Sequence, residues 1–473
     1  MMLSTLAPAP VRLTDELLQR LDQPGPRYTS YPTADRFVEA FDAQAHRQAL
    51  QQRRSGAAAG GVPPLSLYVH VPFCESLCWY CACNKVITKH HERARPYLDD
   101  LHTEIELYVA NIGRGQPLAQ LHLGGGSPTF LSDAELALLM GWLREAFRFA
   151  PGAEISIEID PRTATHERLR HFAALGFNRI SFGVQDFDAA VQQAVHRVQP
   201  FEQVQELVAG AKALAFESIN VDLIYGLPCQ TPQSFARTVE QVGELRPHRI
   251  ALYAYAHLPQ RFKPQRRIDT AQLPAPLARI RMLEGAISGF IAQGYVYIGM
   301  DHFALPGDAL AVAKRQGRLH RDFQGYSTRP QGDKGDLIGL GVSAIGRVGA
   351  TYSQNAKTTV EYHDALARGE FPVVRGLALS RDDLVRRAVI MALMCQGRVE
   401  VASIERAHLV RMREAFAPEY ERLVPLQEMG LVEVSEQAIQ VTPLGWFFVR
   451  AVAMVFDRHL QADPMRERFS RII

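Results

Sequence analysis

No run of 18 apolar residues occurs in this sequence, so no membrane-spanning helix is expected from it. Its opening stretch, MMLSTLAPAPVRLTDELLQRL, lacks a basic region followed by an apolar core, so a secretory signal is not expected either. An excess of one charge is also missing. The 473 residues hold 52 Lys and Arg against 50 Asp and Glu, a balance that argues neither for nor against nucleic acid. Six cysteines are too few for a disulfide framework in a chain this long. No internal repeat or low-complexity tract stands out. What remains is 47% hydrophobic and 22% charged, the composition of a globular chain that can bury a large core. The length allows two or three domains.

A strand-then-helix rhythm fills the middle of the chain. Short apolar, β-rich runs fall at 65–71, 118–124, 154–160, 179–185, 218–226 and 249–258. Between them lie helical stripes, such as Leu98, Leu101, Ile105, Tyr108 and Val109, and another around Leu169, Phe172 and Leu175. Strands alternating with helices imply a parallel sheet. Six such units predict an α/β fold with a partial or open (β/α)6 barrel of the TIM type, with chemistry at the C-terminal strand ends. Residues 1–60 read as an arm and a helix, and SGAAAGGVPP (55–64) as a linker. Residues 61–375 read as the barrel, with charged, glycine-rich loops at 300–350. Residues 376–473 read as a mostly helical C-terminal domain with a small hairpin.

Four of the six cysteines crowd into CESLCWYCACN (74–84), just after the first strand. Clustered thiols point to a reducing compartment and to metal binding or catalysis, so the cytoplasm is expected. Cys74, Cys78 and Cys81 have Cys-x3-Cys-x2-Cys spacing. Three thiolates on one tight loop suit a [4Fe–4S] cubane and leave its fourth iron open. An amine and a carboxylate, such as the methionine end of S-adenosylmethionine (SAM), can bind an open iron. Structural zinc and inert buried thiols are the alternatives, and a lone Cys-x2-Cys would favour zinc. Cys229 and Cys395 stand alone and read as small core residues.

This spacing, with Tyr80 before the last cysteine, resembles the radical SAM signature. The match is wider than the loop. PGPRYTSYPTA (24–34), YVHVPFC (68–74), CACNKVIT (81–88), LHLGGGSPT (121–129), SIEIDPR (156–162), FGVQDF (182–187), DLIYGLP (222–228), YAHLP (255–259), GMDHFA (299–304), FQGYST (323–328) and GLGVSAIG (339–346) follow in order. Together they resemble the oxygen-independent coproporphyrinogen III oxidase family, from about residue 20 to the terminal FSRII. The resemblance implies oxidative decarboxylation of two propionates of coproporphyrinogen III to vinyl groups, giving protoporphyrinogen IX in heme biosynthesis. A 5′-deoxyadenosyl radical, made from SAM at the cluster, takes a hydrogen from the propionate β-carbon. Loss of CO2 and one electron leaves the vinyl group. It also implies an electron donor and acceptor that the sequence does not identify, a monomer, and no nucleic-acid or membrane partner.

The resemblance distributes roles. Cys83 is expected beside the cluster without ligating it, supporting the active site or the radical step. Gly125, Gly126 and Ser127 are implied as contacts of the cluster-bound SAM, with Glu158 against it. The family has Thr at the position of Ser127, so a hydroxyl is kept. Gln185, Arg197 and Asp222 are implied to hold a second SAM, with the Arg197 fork on its carboxylate. Tyr68, Tyr80, Ala256 and Ile345 match positions lining the two SAM sites, and a core role suits each as well. His70 and His122 lie in strands beside these motifs and read equally as satisfied core histidines. The substrate's four propionates call for Arg or Lys, with candidates in HLPQRFKPQRR (257–267), in HRDFQ (320–324) and at Arg27. The arm at 23–37 is expected to close over the barrel mouth and exclude water. Gly346, Arg347 and the long loop STRPQGDKGD (327–336) depart from the family beside the expected SAM or substrate edge. A heme-binding chaperone and a radical SAM enzyme acting on another tetrapyrrole share much of this pattern. The first usually lacks Cys83 and the arm, and product mass separates the second.

Overall fold

Alternation of side chains decides the architecture. The structure, a computed structural model, describes residues 17, 20–21, 23–57, 63–300, 302–328, 335–461 and 469. Residues 58–62 of the expected linker, Asp301, residues 329–334 of the long loop and residues 470–473 of the terminal motif lie outside these. The six expected runs form β1 (Leu65–Val71), β2 (Gln116–Gly125), β3 (Phe147–Ile159), β4 (Arg179–Gln185), β5 (Ser218–Tyr225) and β6 (Arg249–Ala254). Each pairs in parallel with the next. In β3, Ile155, Ile157 and Ile159 are buried while Ser156 and Glu158 are half-buried; in β5, Val221 and Leu223 alternate with Asn220 and Asp222. Successive strand side chains face opposite sides, so the apolar set meets the helices and the polar set lines the barrel interior.

Helices follow each strand, among them Ala94–Ile112, Asp133–Ala146, His166–Ala174, Phe201–Ala213, Pro232–Leu245 and Pro276–Ala292. Their starts carry local signals. Ser132 and Glu135 form a reciprocal capping box, and Thr231 and Ser234 form another. The sheet then grows past the barrel. β7 (Val296–Gly299) and β8 (His302–Ala304) extend it antiparallel beyond β6. β9 (Leu337–Leu340) pairs in parallel with β1, and β10 (Ile345–Val348), β11 (Thr351–Asn355) and β12 (Val373–Ala378) follow antiparallel. The expectation of loops at 300–350 is therefore corrected. Strands β8, β9 and β10, a hairpin of His320–Asp322 with Gly325–Ser327, and the helix Ala309–Arg315 occupy this stretch. Runs of three or four residues broken by glycine carry too little alternation to be recognised without the neighbouring strand.

Apolar side chains gather in two main clusters. One packs β1–β6 against their helices. The other lies in the C-terminal region around the helix Arg381–Gln396 and takes in Tyr28 and Tyr31 of the arm. The expected hairpin, Val432–Val434 with Ala438–Val441, gains a third strand, Arg398–Glu400. We place the proposed domain division at the end of β12, because a cut at 375/376 falls inside that strand. The arm is fastened to the C-terminal region. The Tyr28 hydroxyl donates to Asp457 Oδ2 at 3.0 Å, Arg450 Nε donates to the Pro26 carbonyl at 3.1 Å, and the Arg458 backbone N–H donates to the Tyr31 hydroxyl at 3.3 Å. Burying both tyrosines, 1% and 0% exposed, fixes the arm there.

One buried carboxyl joins the helix Ala94–Ile112 to the β9 side of the sheet. Glu104 is fully buried; it accepts from Gly341 N at 2.8 Å, Asn355 Nδ2 at 2.7 Å and the Tyr362 hydroxyl at 2.5 Å. Burial raises its carboxyl to about 7 despite these donors. The unfolded chain releases this proton near 4.5 and the folded chain near 7. Between those values the folded state holds more protons, so the Glu104 contribution falls as pH rises, by up to about 3 kcal/mol. Urea unfolding from pH 4.5 to 7.5 is expected to show this slope in the wild type and to lack it in Glu104→Gln. That variant should also lose about 1–3 kcal/mol at low pH, through donors left facing an amide N–H2.

Candidate active site

The end of β1 begins the site. Phe73–Cys74 pairs in parallel with Val86–Ile87, which closes the cysteine loop at its base. The Gly126 and Ser127 backbone N–H groups donate to the Val71 and Phe73 carbonyls, both at 2.8 Å, and tie the GGGS segment to that base. Lys85 Nζ crosses the loop to the Cys81 and Cys83 carbonyls, at 3.1 and 3.2 Å. Cys74, Cys78, Cys81 and Cys83 border one cavity of about 290 Å3 at the C-terminal ends of the strands. Among the described residues no three His, Cys, Asp or Glu side chains converge closely enough for a single metal ion. The thiols border a shared space instead, which is what a multi-iron core requires.

The thiols differ in character. Burial and the neighbouring thiols Cys81 and Cys78 push Cys74 up to about 12. A hydrogen bond from Cys83 and the Lys85 ammonium overcome burial at Cys81 and bring it down to about 6. The same contact raises Cys83, which keeps its proton. Thiols that resist ionisation alone release protons when an electropositive core binds them, so this donor set fits an iron–sulfur cluster.

Polar side chains on the inner faces of the strands support the cavity from below. Glu158 Oε1 lies 3.1 Å from His122 Nε2, and Glu158 Oε2 accepts from Gly125 N at 3.1 Å. His122 Nδ1 lies 2.6 Å from Ser156 Oγ. Burial raises the Glu158 carboxyl, but His122, the Gly125 N–H and His70 outweigh it and hold it below the usual glutamate value. Asp222 accepts from Ser181 Oγ and Asn220 Nδ2, both at 2.9 Å. Burial and the Glu158 charge still raise it to about 6. His70 Nε2 donates to the Asn84 carbonyl at 2.9 Å, which leaves Nδ1 to accept from the Tyr68 hydroxyl at 3.0 Å. Gly125 has φ 113°, and a Cβ there would strike the His70 ring. The glycine makes room for the protein's own histidine, a close approach that the expectation of ligand contact did not include.

Arg197, 7% exposed, spans Asp160 at 3.2 and 3.3 Å, the Gly183 carbonyl at 2.6 Å and Cys78 Sγ at 3.4 Å. Its Nε is buried without a hydrogen-bond partner. Arg162 Nη2 reaches the same Asp160 at 2.6 Å and Cys78 Sγ at 3.5 Å. Burial raises Asp160, but Arg197 and Arg162 hold it below the usual carboxylate range. Asp160, Arg162, Lys85 and Tyr253 were not named among the sequence candidates, yet all border the cavity. Asp160-Pro-Arg162, an acid and a base flanking a proline just past a barrel strand, was the available signal for two of them.

Of the named candidates, Tyr80, Gly125, Gly126, Ser127, Glu158, Gln185, Arg197 and Asp222 border the same cavity as the four cysteines. Gln185 reaches it through a left-handed backbone, φ 70°, where the β4–β5 register shifts. Tyr68 stacks on His122 with ring centres 5.9 Å apart, outside the lining. Ala256 and Ile345 are half-buried and also outside it. Arg347 is buried on β10 and donates to the Gly335 carbonyl, while a Cβ at Gly346 would lie 3.1 Å from the Leu337 carbonyl. Both act within the sheet.

Comparison with known proteins agrees with this geometry. Residues 68–242 match the radical SAM superfamily, and residues 379–448 match the HemN C-terminal domain. An oxygen-independent coproporphyrinogen III oxidase of Escherichia coli is 46% identical over 457 residues, covering 97% of this chain and 98% of that protein. The Pseudomonas aeruginosa protein of the same description is 46% identical over 465 residues, covering 98% and 99%. A solved structure, described as the E. coli coproporphyrinogen III oxidase and a radical SAM enzyme, superposes with a TM-score of 0.89 at 44% identity, over 96% of this chain and all of that one. No helix among the described residues is long and apolar enough to cross a membrane. A thiol loop at the mouth of a six-stranded parallel barrel, in a chain matched over nearly its whole length, places this protein in the oxygen-independent coproporphyrinogen III oxidase family of the radical SAM superfamily.

Proposed function

We propose that this chain converts two propionates of coproporphyrinogen III to vinyl groups without oxygen, giving protoporphyrinogen IX in heme biosynthesis. The observation that carries this reading is the single cavity shared by Cys74, Cys78 and Cys81 with Glu158, Arg197 and Asp222. Cys74, Cys78 and Cys81 would hold a [4Fe–4S] cluster, and Gly125, Gly126, Ser127 and Glu158 a first SAM. Gln185, Arg197 and Asp222 would hold a second. Bound together, cluster and SAM supply reductive cleavage of the sulfonium to a 5′-deoxyadenosyl radical.

The chain's own residues bind, orient and hold protons. Glu158, kept ionised by His122 and the Gly125 N–H, offers acceptor oxygens to amine or hydroxyl groups. Arg197 keeps its charge beside Asp160 and has an unpartnered Nε for a ligand carboxylate. Asp222, raised to about 6, accepts hydrogen bonds when ionised. Cys83 lies outside the Cys-x3-Cys-x2-Cys spacing of the ligand thiols, borders the same cavity and serves as a positioning thiol. No disulfide joins the cysteines among the described residues, which supports a reducing cytoplasm.

Two measurements test this. Anaerobic reconstitution should load about four irons per chain, and Cys74→Ser should lose most of them. With SAM, a low-potential reductant and an electron acceptor, the wild type should remove two CO2 from coproporphyrinogen III, read as product mass. Intact substrate mass alongside SAM cleavage would overturn the reading. SAM affinity should weaken as pH falls through about 6, where Asp222 takes up a proton. Asp222→Asn should bind weakly at every pH and lose that dependence.

A further inference from the structure

Four propionates need cationic partners wherever the substrate leaves water. The structure divides the candidates. Arg261, Lys263, Arg266 and Arg267 are exposed on the surface. Arg321, on the hairpin of His320–Asp322 with Gly325–Ser327, is 2% exposed. Its Nε donates to the Arg27 backbone carbonyl at 3.3 Å, and its guanidinium lies 4.6 Å from the centre of the Tyr326 ring. Its Nη1 is buried with no hydrogen-bond partner. A buried guanidinium N–H without an acceptor is costly, so an acceptor from outside the chain would satisfy it.

Arg27 approaches the same place from the arm, with its guanidinium 5.3 Å from the centre of the Tyr253 ring. Tyr253 borders both the thiol-lined cavity and a second cavity of about 180 Å3 inside the barrel. His302 packs edge-on against Tyr253 and Tyr326, with ring centres 5.9 and 5.3 Å away. Burial and the Arg321, Arg27 and Arg249 charges push its imidazole down to about 3, so it stays neutral and does not compete for an anion. Asp222, the carboxyl that acts most strongly on Tyr253, already accepts from Ser181 and Asn220.

We propose that Arg27 and Arg321 form a carboxylate seat on the Tyr253–His302 wall, taking one propionate of the tetrapyrrole while another faces the thiols. This rests on the reading of the chain as a coproporphyrinogen oxidase. Arg321 supplies a buried N–H that needs an acceptor, and Arg27 supplies a second cation from the arm. The seat makes the arm part of substrate recognition.

The test is titration of the full-length protein with coproporphyrin III, the stable oxidised tetracarboxylate, followed by its Soret band. Arg27→Gln and Arg321→Gln should each weaken binding roughly tenfold to a hundredfold, while SAM affinity is unchanged. Arg321→Lys should recover part of the loss, and Arg267→Gln should bind as wild type. If Arg321→Gln fails to fold, Arg27→Gln, at a half-buried position, carries the test alone. Wild-type affinity in Arg27→Gln and Arg321→Lys, or an equal loss in Arg267→Gln, would overturn the seat and leave the activity standing. A wild type that neither binds coproporphyrin III nor decarboxylates coproporphyrinogen III would overturn both.

Discussion

A polar side chain on the inner wall of a barrel must find a partner on the next strand, because it has given up its water. That requirement organises the interior. Near the strand starts, Ser66 donates to Gln120, and Gln120 and Arg179 donate to Glu154. Further along, His122 bridges Ser156 and Glu158, and Ser181 and Asn220 converge on Asp222. Parallel register makes these links possible by setting His122 beside Ser156, Glu158 beside Ser181 and Ser181 beside Asn220. A slip of one residue would turn all of them toward the helices. The GGGS segment hangs from this lattice through the Gly125 N–H on Glu158, and the cysteine loop rests on the GGGS segment.

Charge around the thiols is arranged as deliberately as the lattice beneath them. Asp160 sits between two guanidinium groups, and both also reach Cys78. One carboxylate against two cations leaves a local positive excess beside sulfurs that must become anionic. The opposite side of the loop relies on Lys85 and on the Cys83 S–H to favour a thiolate at Cys81. At Cys74, burial and the neighbouring thiols outweigh the Lys85 charge and push the thiol up to about 12.

The sequence made some of this legible and hid the rest for identifiable reasons. Strands β1 to β6 were visible because alternation over six or more residues is a strong local signal, and CESLCWYCACN was visible because its spacing is rare. Strands β8 to β10 were hidden: three or four residues around glycines become strands only when β1, β6 or β9 is beside them. The arm's position depended on Asp457 and Arg450, more than 420 residues away in sequence. Asp160 and Arg162 stand together in SIEIDPR, yet Arg197 joins them only in the fold. Arg321 was one basic residue among several until burial distinguished it from Arg261 and Arg267.

The fastening of the arm has a consequence in time. A chain emerging from the ribosome completes β1 to β6 and the cysteine loop long before residues 450–458 exist. Those residues hold Gly25, Pro26, Tyr28 and Tyr31 in place. A barrel folded during synthesis therefore waits, with its arm unanchored, until residues 450–458 are made. Residues 25–31 and 450–458 meet in one clamp, so a product truncated before Arg450 would carry the cysteines without the clamp that sets Arg27.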